Sequence, residues 1–94
     1  MKTVKVPGKN KKHQVSLYTL STCGWCKQLK TFLKDKDIEY EYTDIDLSDE
    51  EDRFKIRRDI QERGGSLNYP TIIIDDKILI EGFVKDKLMV ALEI

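Results

Sequence analysis

The chain's only two cysteines stand in the segment Thr22-Cys23-Gly24-Trp25-Cys26-Lys27. A structural disulfide between residues this close would close too small a loop to add much stability, and a reducing compartment rarely preserves one. Structural zinc usually takes four Cys or His ligands, and the chain has these two Cys and one His, His13. The pair is therefore redox-active, or it binds a metal shared with another molecule.

The elements around the pair decide what the sulfurs can do. Gln14 to Leu20 reads as a strand, with Val15, Leu17, Tyr18 and Leu20 apolar. Trp25, Leu29, Phe32 and Leu33 follow at helical spacing, so a helix is expected from about Gly24 to Lys34–Lys36. Cys23 then lies at the N-cap, where backbone N–H groups of residues 25 and 26 lack helical partners and point at its sulfur. The positive end of the helix dipole acts in the same direction. Both favour thiolate over thiol, and only the thiolate attacks a disulfide. Cys26, one turn in and more buried, suits the resolving role, attacking the mixed disulfide that Cys23 forms. Gly24 leaves room above the sulfur. Trp25 is either a platform for substrate or the first core residue of the helix. Lys27 reads as a solvated lysine.

The rest of the chain completes a β-α-β-α-β-β-α order. Ile38, Tyr40 and Tyr42 alternate with Glu39, Glu41 and Thr43, a half-buried strand with an acidic outer face. Ser48 and Glu51 have the spacing of a capping box opening a second helix. That helix carries Phe54, Ile56 and Ile60 on its apolar side and stops at Gly64-Gly65. Pro70 to Ile74 reads as a buried strand, Asp75-Asp76 as a turn, and Lys77 to Ile80 as the returning strand of a hairpin. Val84, Leu88, Ala91 and Leu92 mark a last short helix. The β-α-β start demands a right-handed crossover and a parallel pair. An α/β fold follows: a four-stranded mixed sheet with three flanking helices.

Residues 1–12 form a basic N-terminal extension to a domain expected over 13–94. Thr3 to Val6 alternates like a short strand before a Pro7-Gly8 turn, and it either pairs as an extra edge strand or stays mobile. The extension holds five Lys and no acid, whereas Asp35 to Asp52 holds ten acids and one Lys. The whole chain balances 17 basic against 17 acidic side chains. That balance argues against generic nucleic-acid binding, which needs an excess of positive charge. The runs of charge, including Arg53, Lys55, Arg57, Arg58 and Arg63 on the second helix, read as solvated faces. No apolar stretch approaches the roughly 20 residues that span a bilayer. Met1 to Lys5 has neither the apolar stretch nor the cleavage site of a secretory signal, so the expected location is the cytoplasm. His13 is expected at the surface or a strand edge, with no catalytic role.

Three stretches in order, Tyr18 to Cys26, Tyr69 to Lys77 and Gly82-Phe83, resemble a glutaredoxin-type protein of the thioredoxin fold. The likeness runs over about residues 14–93. It implies a dithiol–disulfide oxidoreductase with Cys23 and Cys26 catalytic, acting on a disulfide-bearing protein or small molecule. It also implies a cis peptide at Tyr69-Pro70 facing the dithiol, and a substrate groove shaped by Tyr69, Pro70 and Thr71, with Trp25, Gly82 and Phe83 beside it. A monomer without metal or other cofactor is expected, re-reduced by a reductase.

The departures from the family are specific. Leu20 stands where glutaredoxins usually carry a Lys that pairs with the glycine carboxylate of glutathione. Asn68-Tyr69 replaces Thr-Val before the proline. Glu81-Gly82-Phe83-Val84-Lys85 replaces the Gly-Gly-Cys/Ser-Asp stretch that grips the γ-glutamyl end. Leu and Phe cannot supply charge-assisted hydrogen bonds, each worth about 1.5–3 kcal/mol. The expected electron donor is therefore a thioredoxin-reductase-like enzyme rather than glutathione. The alternative within the same resemblance is an iron–sulfur cluster-binding module, with a cluster bridging two chains through the first Cys of each.

Overall fold

A computed structural model describes residues 2–94. Five strands form one mixed sheet: β1 (Val4–Val6), β2 (Val15–Thr19), β3 (Tyr40–Asp44), β4 (Thr71–Ile74) and β5 (Ile78–Glu81). Three helices flank it: α1 (Gly24–Asp35), α2 (Glu50–Glu62) and α3 (Lys85–Leu92), with a single 3-10 turn at Ile45–Leu47. The strand order is β1-β3-β2-β4-β5. Only β2 and β3 run parallel, joined through α1, and every other pair is antiparallel. The expected four strands and three helices all form, and the N-terminal segment adds the edge strand, Val4 pairing with Tyr42 and Val6 with Tyr40. Past that strand the segment stays fastened. Asn10 N–H donates to the Asp37 carbonyl at 2.9 Å, and Glu39 N–H donates to the Asn10 carbonyl at 3.0 Å. Gly8 comes so close that a Cβ there would meet the Ile38–Glu39 backbone at 2.6 Å.

Both faces of the sheet are covered, because β4 is apolar without alternation and buries all four of its residues. Ile72 and Ile74 join Val15, Leu17, Tyr40 and Ile80 under α1 and α3, where Leu29, Leu33, Leu88 and Leu92 complete the larger core. Ile45, Ile56 and Ile60 make a smaller cluster with α2, flanked by the half-buried Tyr18, Leu20, Leu67 and Tyr69. Asp75 and Asp76 both take positive φ, 54° and 58°. They begin a three-residue hairpin loop that Lys77 completes, since Ile74 pairs with Ile78, and Asp tolerates positive φ better than most residues.

Three local expectations are corrected and one open choice is settled. The cap of α2 is Asp49, whose carboxylate accepts the Asp52 N–H at 2.8 Å. Ser48 is taken up one residue earlier by the 3-10 turn, where its hydroxyl donates to the Asp44 carbonyl at 3.0 Å. Phe54 is 62% exposed, not core, since only Ile56 and Ile60 face the sheet. Trp25, left open between platform and core, is 59% exposed, and the buried face of α1 begins at Cys26. Thr43 is buried, not outward, because the face of β3 opposite Tyr40 is covered at its far end.

At the end of the sheet opposite the cysteines, His13 ties three segments together. Its Nδ1 lies 2.6 Å from Asp75 Oδ2 in the β4–β5 turn, and its Nε2 lies 3.3 Å from Glu93 Oε2 after α3. The Asp75 hydrogen bond, outweighing partial burial, raises the imidazole above its ordinary pKa, with Glu93 adding to it. Asp75 and Glu93 are lowered in turn, Asp75 chiefly by His13 and Glu93 chiefly by Lys12. A raised histidine stabilises the fold fully below its unfolded value of about 6.5 and loses that contribution as pH rises through its folded value. The lowered carboxylates contribute above their unfolded values and lose that contribution on acidification. Stability of the wild type should therefore exceed that of His13→Gln most at about pH 6, with the gap narrowing toward about pH 8. Denaturation midpoints at the two pH values check this, and a gap that does not change with pH contradicts it.

Candidate functional site

The end of β2 and the start of α1 set the geometry. Cys23 is the N-cap residue, in extended backbone conformation at φ −85° and ψ 119°. Its Sγ accepts the backbone N–H of Cys26 at 3.2 Å. Its own N–H donates to the Leu20 carbonyl at 3.1 Å, and its carbonyl accepts the Lys27 N–H at 3.2 Å. The side chain of Cys23 is thus built into the first turn rather than hung from a loop. Of the two N–H groups expected at the sulfur, the one that bonds is that of Cys26.

The two thiols sit in different surroundings. Cys23 is partly exposed and Cys26 is fully buried, and both are free. Burial pushes the Cys26 thiol up to about 12, and the neighbouring Cys23 sulfur adds to the rise, while a Leu20 backbone hydrogen bond and the Lys30 charge oppose it. A Cβ at Gly24 would meet nothing within 4 Å, so the approach on that side is open. Trp25, beside the exposed sulfur, stands mostly in solvent.

The loop that delivers Cys23 is held from the 3-10 turn that follows β3. Ser21 donates its N–H to Asp46 Oδ1 at 2.9 Å and its hydroxyl to Asp46 Oδ2. These bonds keep the Asp46 carboxyl below the ordinary carboxylate range. Deeper, Thr19 Oγ1 donates to Asp44 Oδ1 at 2.6 Å, and Lys30 Nζ lies 3.5 Å from the same oxygen. Lys30 also sits 3.8 Å above the Tyr42 ring. Sequence reasoning missed Ser21, Asp44, Asp46 and Lys30. Both acids lie in a long acidic run that reads as solvated, and the available signal was their place at and just past the strand end.

Strand register brings the other expected residues to the same edge of the sheet. Tyr18 pairs with Thr71 and Thr71 with Glu81, so the end of β2, the start of β4 and the end of β5 lie side by side. Tyr69-Pro70 is cis. Pro70 is fully buried, and its carbonyl accepts the Gly82 N–H at 2.7 Å. Gly82 holds φ at +80°, where a side chain is strained. Thr71 is buried, its hydroxyl bonded to the Asn68 carbonyl at 2.6 Å. Tyr69 is half-buried against the α2 cluster, and burial raises its phenol pKa. Phe83 packs edge-on against Phe32, ring centroids 5.7 Å apart. His13, expected to have no catalytic role, lies away from these residues, since it precedes β2 and meets Asp75 after β4. Among the described residues no group of three or more His, Cys, Asp or Glu side chains is placed to hold a metal ion.

The positions that depart from the glutathione pattern are occupied from within. Leu20 is half-buried against the α2 cluster. The Glu81 carboxylate accepts the Ser66 N–H at 2.7 Å and the Asn68 side-chain amide at 3.0 Å.

Comparison with known proteins gives a consistent result. Residues 15–79 match the Glutaredoxin family model. The chain is 33% identical over 78 residues to an uncharacterized glutaredoxin-like 8.6 kDa protein in the rubredoxin operon of Clostridium pasteurianum, covering 80% of this chain and 96% of that one. The glutaredoxin of Methanosarcina mazei Go1 superposes with a TM-score of 0.89 at 28% identity, over 100% of this chain and 90% of its own. Methanosarcina acetivorans methanoredoxin superposes with a TM-score of 0.85 at 32% identity, over 93% and 90% respectively.

The contrast between the two sulfurs predicts unequal labelling. Iodoacetamide at neutral pH should modify Cys23 first and leave Cys26 unmodified until the protein is unfolded. Peptide mass mapping reads this directly, and equal labelling of both residues in the native protein contradicts it.

Proposed function

This chain belongs to the glutaredoxin family, and from that premise we propose that it is a dithiol–disulfide oxidoreductase in which Cys23 attacks and Cys26 resolves. One observation carries the reading: the partly exposed Cys23 sulfur accepts, at the start of α1, the backbone N–H of the residue that bears the buried second thiol. A hydrogen bond to sulfur at the positive end of a helix favours the thiolate. The Cys23 thiolate attacks one sulfur of the substrate disulfide, forming a mixed disulfide and expelling the other sulfur as a thiolate that takes up a proton. Cys26 then loses its proton and attacks Cys23 Sγ. The Cys23–Cys26 disulfide forms, the substrate thiol leaves with the proton, and the substrate has gained two electrons. A reductase returns them to the protein.

The groove around this chemistry is assigned to Pro70, with Tyr69 and Thr71 beside it, and to Trp25, Gly82 and Phe83. Their supports are the shared sheet edge, the Gly82-to-Pro70 hydrogen bond and the exposure of Trp25. Leu20 in place of a cation, and the internal engagement of Asn68 and Glu81, support weak binding of glutathione. Loss of one charge-assisted bond lowers affinity by about ten- to a hundredfold. The electron donor that fits is a thioredoxin-reductase-like enzyme.

Two measurements test this. Cys23→Ser should abolish reduction of a protein disulfide, whereas Cys26→Ser should accumulate a mixed disulfide visible by mass. Normal turnover by Cys23→Ser overturns the assignment of roles. With the wild type, a thioredoxin reductase should sustain turnover and glutathione with its reductase should sustain at least about tenfold less. The reverse order overturns the donor assignment.

A further inference from the structure

Cys26 presents a difficulty for the resolving step, because a thiol sealed in the core attacks only after losing its proton. One cation is placed to help. Lys30 lies four residues after Cys26 on α1, so the two share a helix face one turn apart. Its ammonium is not free to wander: Asp44 Oδ1 at the end of β3 lies 3.5 Å away, and the Tyr42 ring lies beneath it at 3.8 Å. The fully buried Thr19 fixes Asp44 in turn, donating to that same oxygen at 2.6 Å. Only 21% of the Lys30 side chain and 15% of the Asp44 side chain remain exposed. At such a site a charge is screened less than at the surface.

We propose that Lys30 is a positioning residue for the resolving step, its anchored ammonium stabilising the Cys26 thiolate as it forms, while Asp44 holds that charge in place and partly offsets it. The inference rests on the oxidoreductase reading above. In the reduced protein the groups acting on Cys26 are Cys23 at the cap, which disfavours a second anion, the Leu20 backbone from the β2–α1 loop, and Lys30, which favours the anion; once Cys23 is bonded to substrate it carries no charge, and Lys30 is the charge among these that remains. Asp44 reaches the thiol through Lys30. The step balances: Cys26 gives up a proton, its sulfur bonds to Cys23 Sγ, the bond from Cys23 to the substrate sulfur breaks, and the departing thiolate accepts a proton.

A purely structural tie between α1 and β3 makes a different forecast. Removing either partner of such a tie should disturb the site in the same sense. An electrostatic role gives opposite signs, since Lys30→Met removes the helpful charge and Asp44→Asn removes its counter-charge while keeping an acceptor for Thr19.

Rapid mixing of the reduced protein with dithiobis(nitrobenzoate) separates the two steps. The first thionitrobenzoate is released in a bimolecular phase by Cys23, and the second in a concentration-independent phase by Cys26. One unit of pKa change alters thiolate fraction tenfold but is opposed by about threefold in intrinsic nucleophilicity, leaving about threefold net. The second phase should therefore slow about threefold in Lys30→Met, accelerate about threefold in Asp44→Asn and stay near wild type in Lys30→Arg, its pH profile displaced accordingly. The first phase should change little. Effects of the same sign in Lys30→Met and Asp44→Asn, or a second phase unmoved in both, overturn the inference. If Lys30→Met does not fold, an Asp44→Asn second phase that is unchanged or slower overturns it alone. Failure of the underlying reading looks different: the wild type itself would show no concentration-independent phase, or Cys26→Ser would retain one.

Discussion

A single N–H···S hydrogen bond at the start of α1 organises this molecule. For Cys23 Sγ to accept the Cys26 N–H, Cys23 must leave the helical region while Gly24 onward enters it, so the first turn of α1 and the sulfur position are set together. The same turn puts Cys26 inward, where it is fully buried. Asymmetry between the sulfurs then needs no further device: one stands at a helix terminus open to solvent, the other one turn down in apolar surroundings. Such a pair can capture a partner with one thiol and release it with the other.

Everything else holds that turn rigid. β2 is a central strand, paired on both sides, and the loop after it is tied to Asp46 through both the backbone and the hydroxyl of Ser21. β4 is buried on both faces and begins at the same edge, so Pro70 is set by core packing rather than by loop chemistry. The basic extension does similar work along the β3 edge, where β1 pairs, and at the end of the sheet away from the cysteines, where Lys12 and His13 meet Glu93 after α3. The reactive end and the fastened end lie at opposite ends of the sheet.

Much of this was legible in the residues. The strand-to-helix junction at the cysteines, the hairpin at Asp75-Asp76 and the buried Thr71–Ile74 strand are each signalled by several neighbouring residues that agree. Where the reading slipped, one residue had two physical uses. Phe54 is apolar and at helical spacing, but periodicity does not say where a helix leaves the core, which is also why Trp25 stayed open between platform and core. Ser48 has the chemistry of a cap, yet an unforeseen 3-10 turn took its hydroxyl and passed the cap to Asp49. Thr43 looks solvent-facing only if one face of its strand is bare. Asp44 and Asp46 were hidden by their company: in a run of ten acids and one Lys, nothing local marks the two that turn inward to Thr19, Lys30 and Ser21. Such partners are distant in sequence, and only the register of β2 on β3 brings them together.

The most direct test of the central constraint is the reactivity of Cys23 itself, read as the rate at which iodoacetamide alkylates the reduced Cys26→Ser protein at neutral pH, first native and then unfolded. The account requires the native sulfur to react faster than the same sulfur in the unfolded chain. Alkylation of the native protein that is no faster than that of the unfolded chain would contradict it.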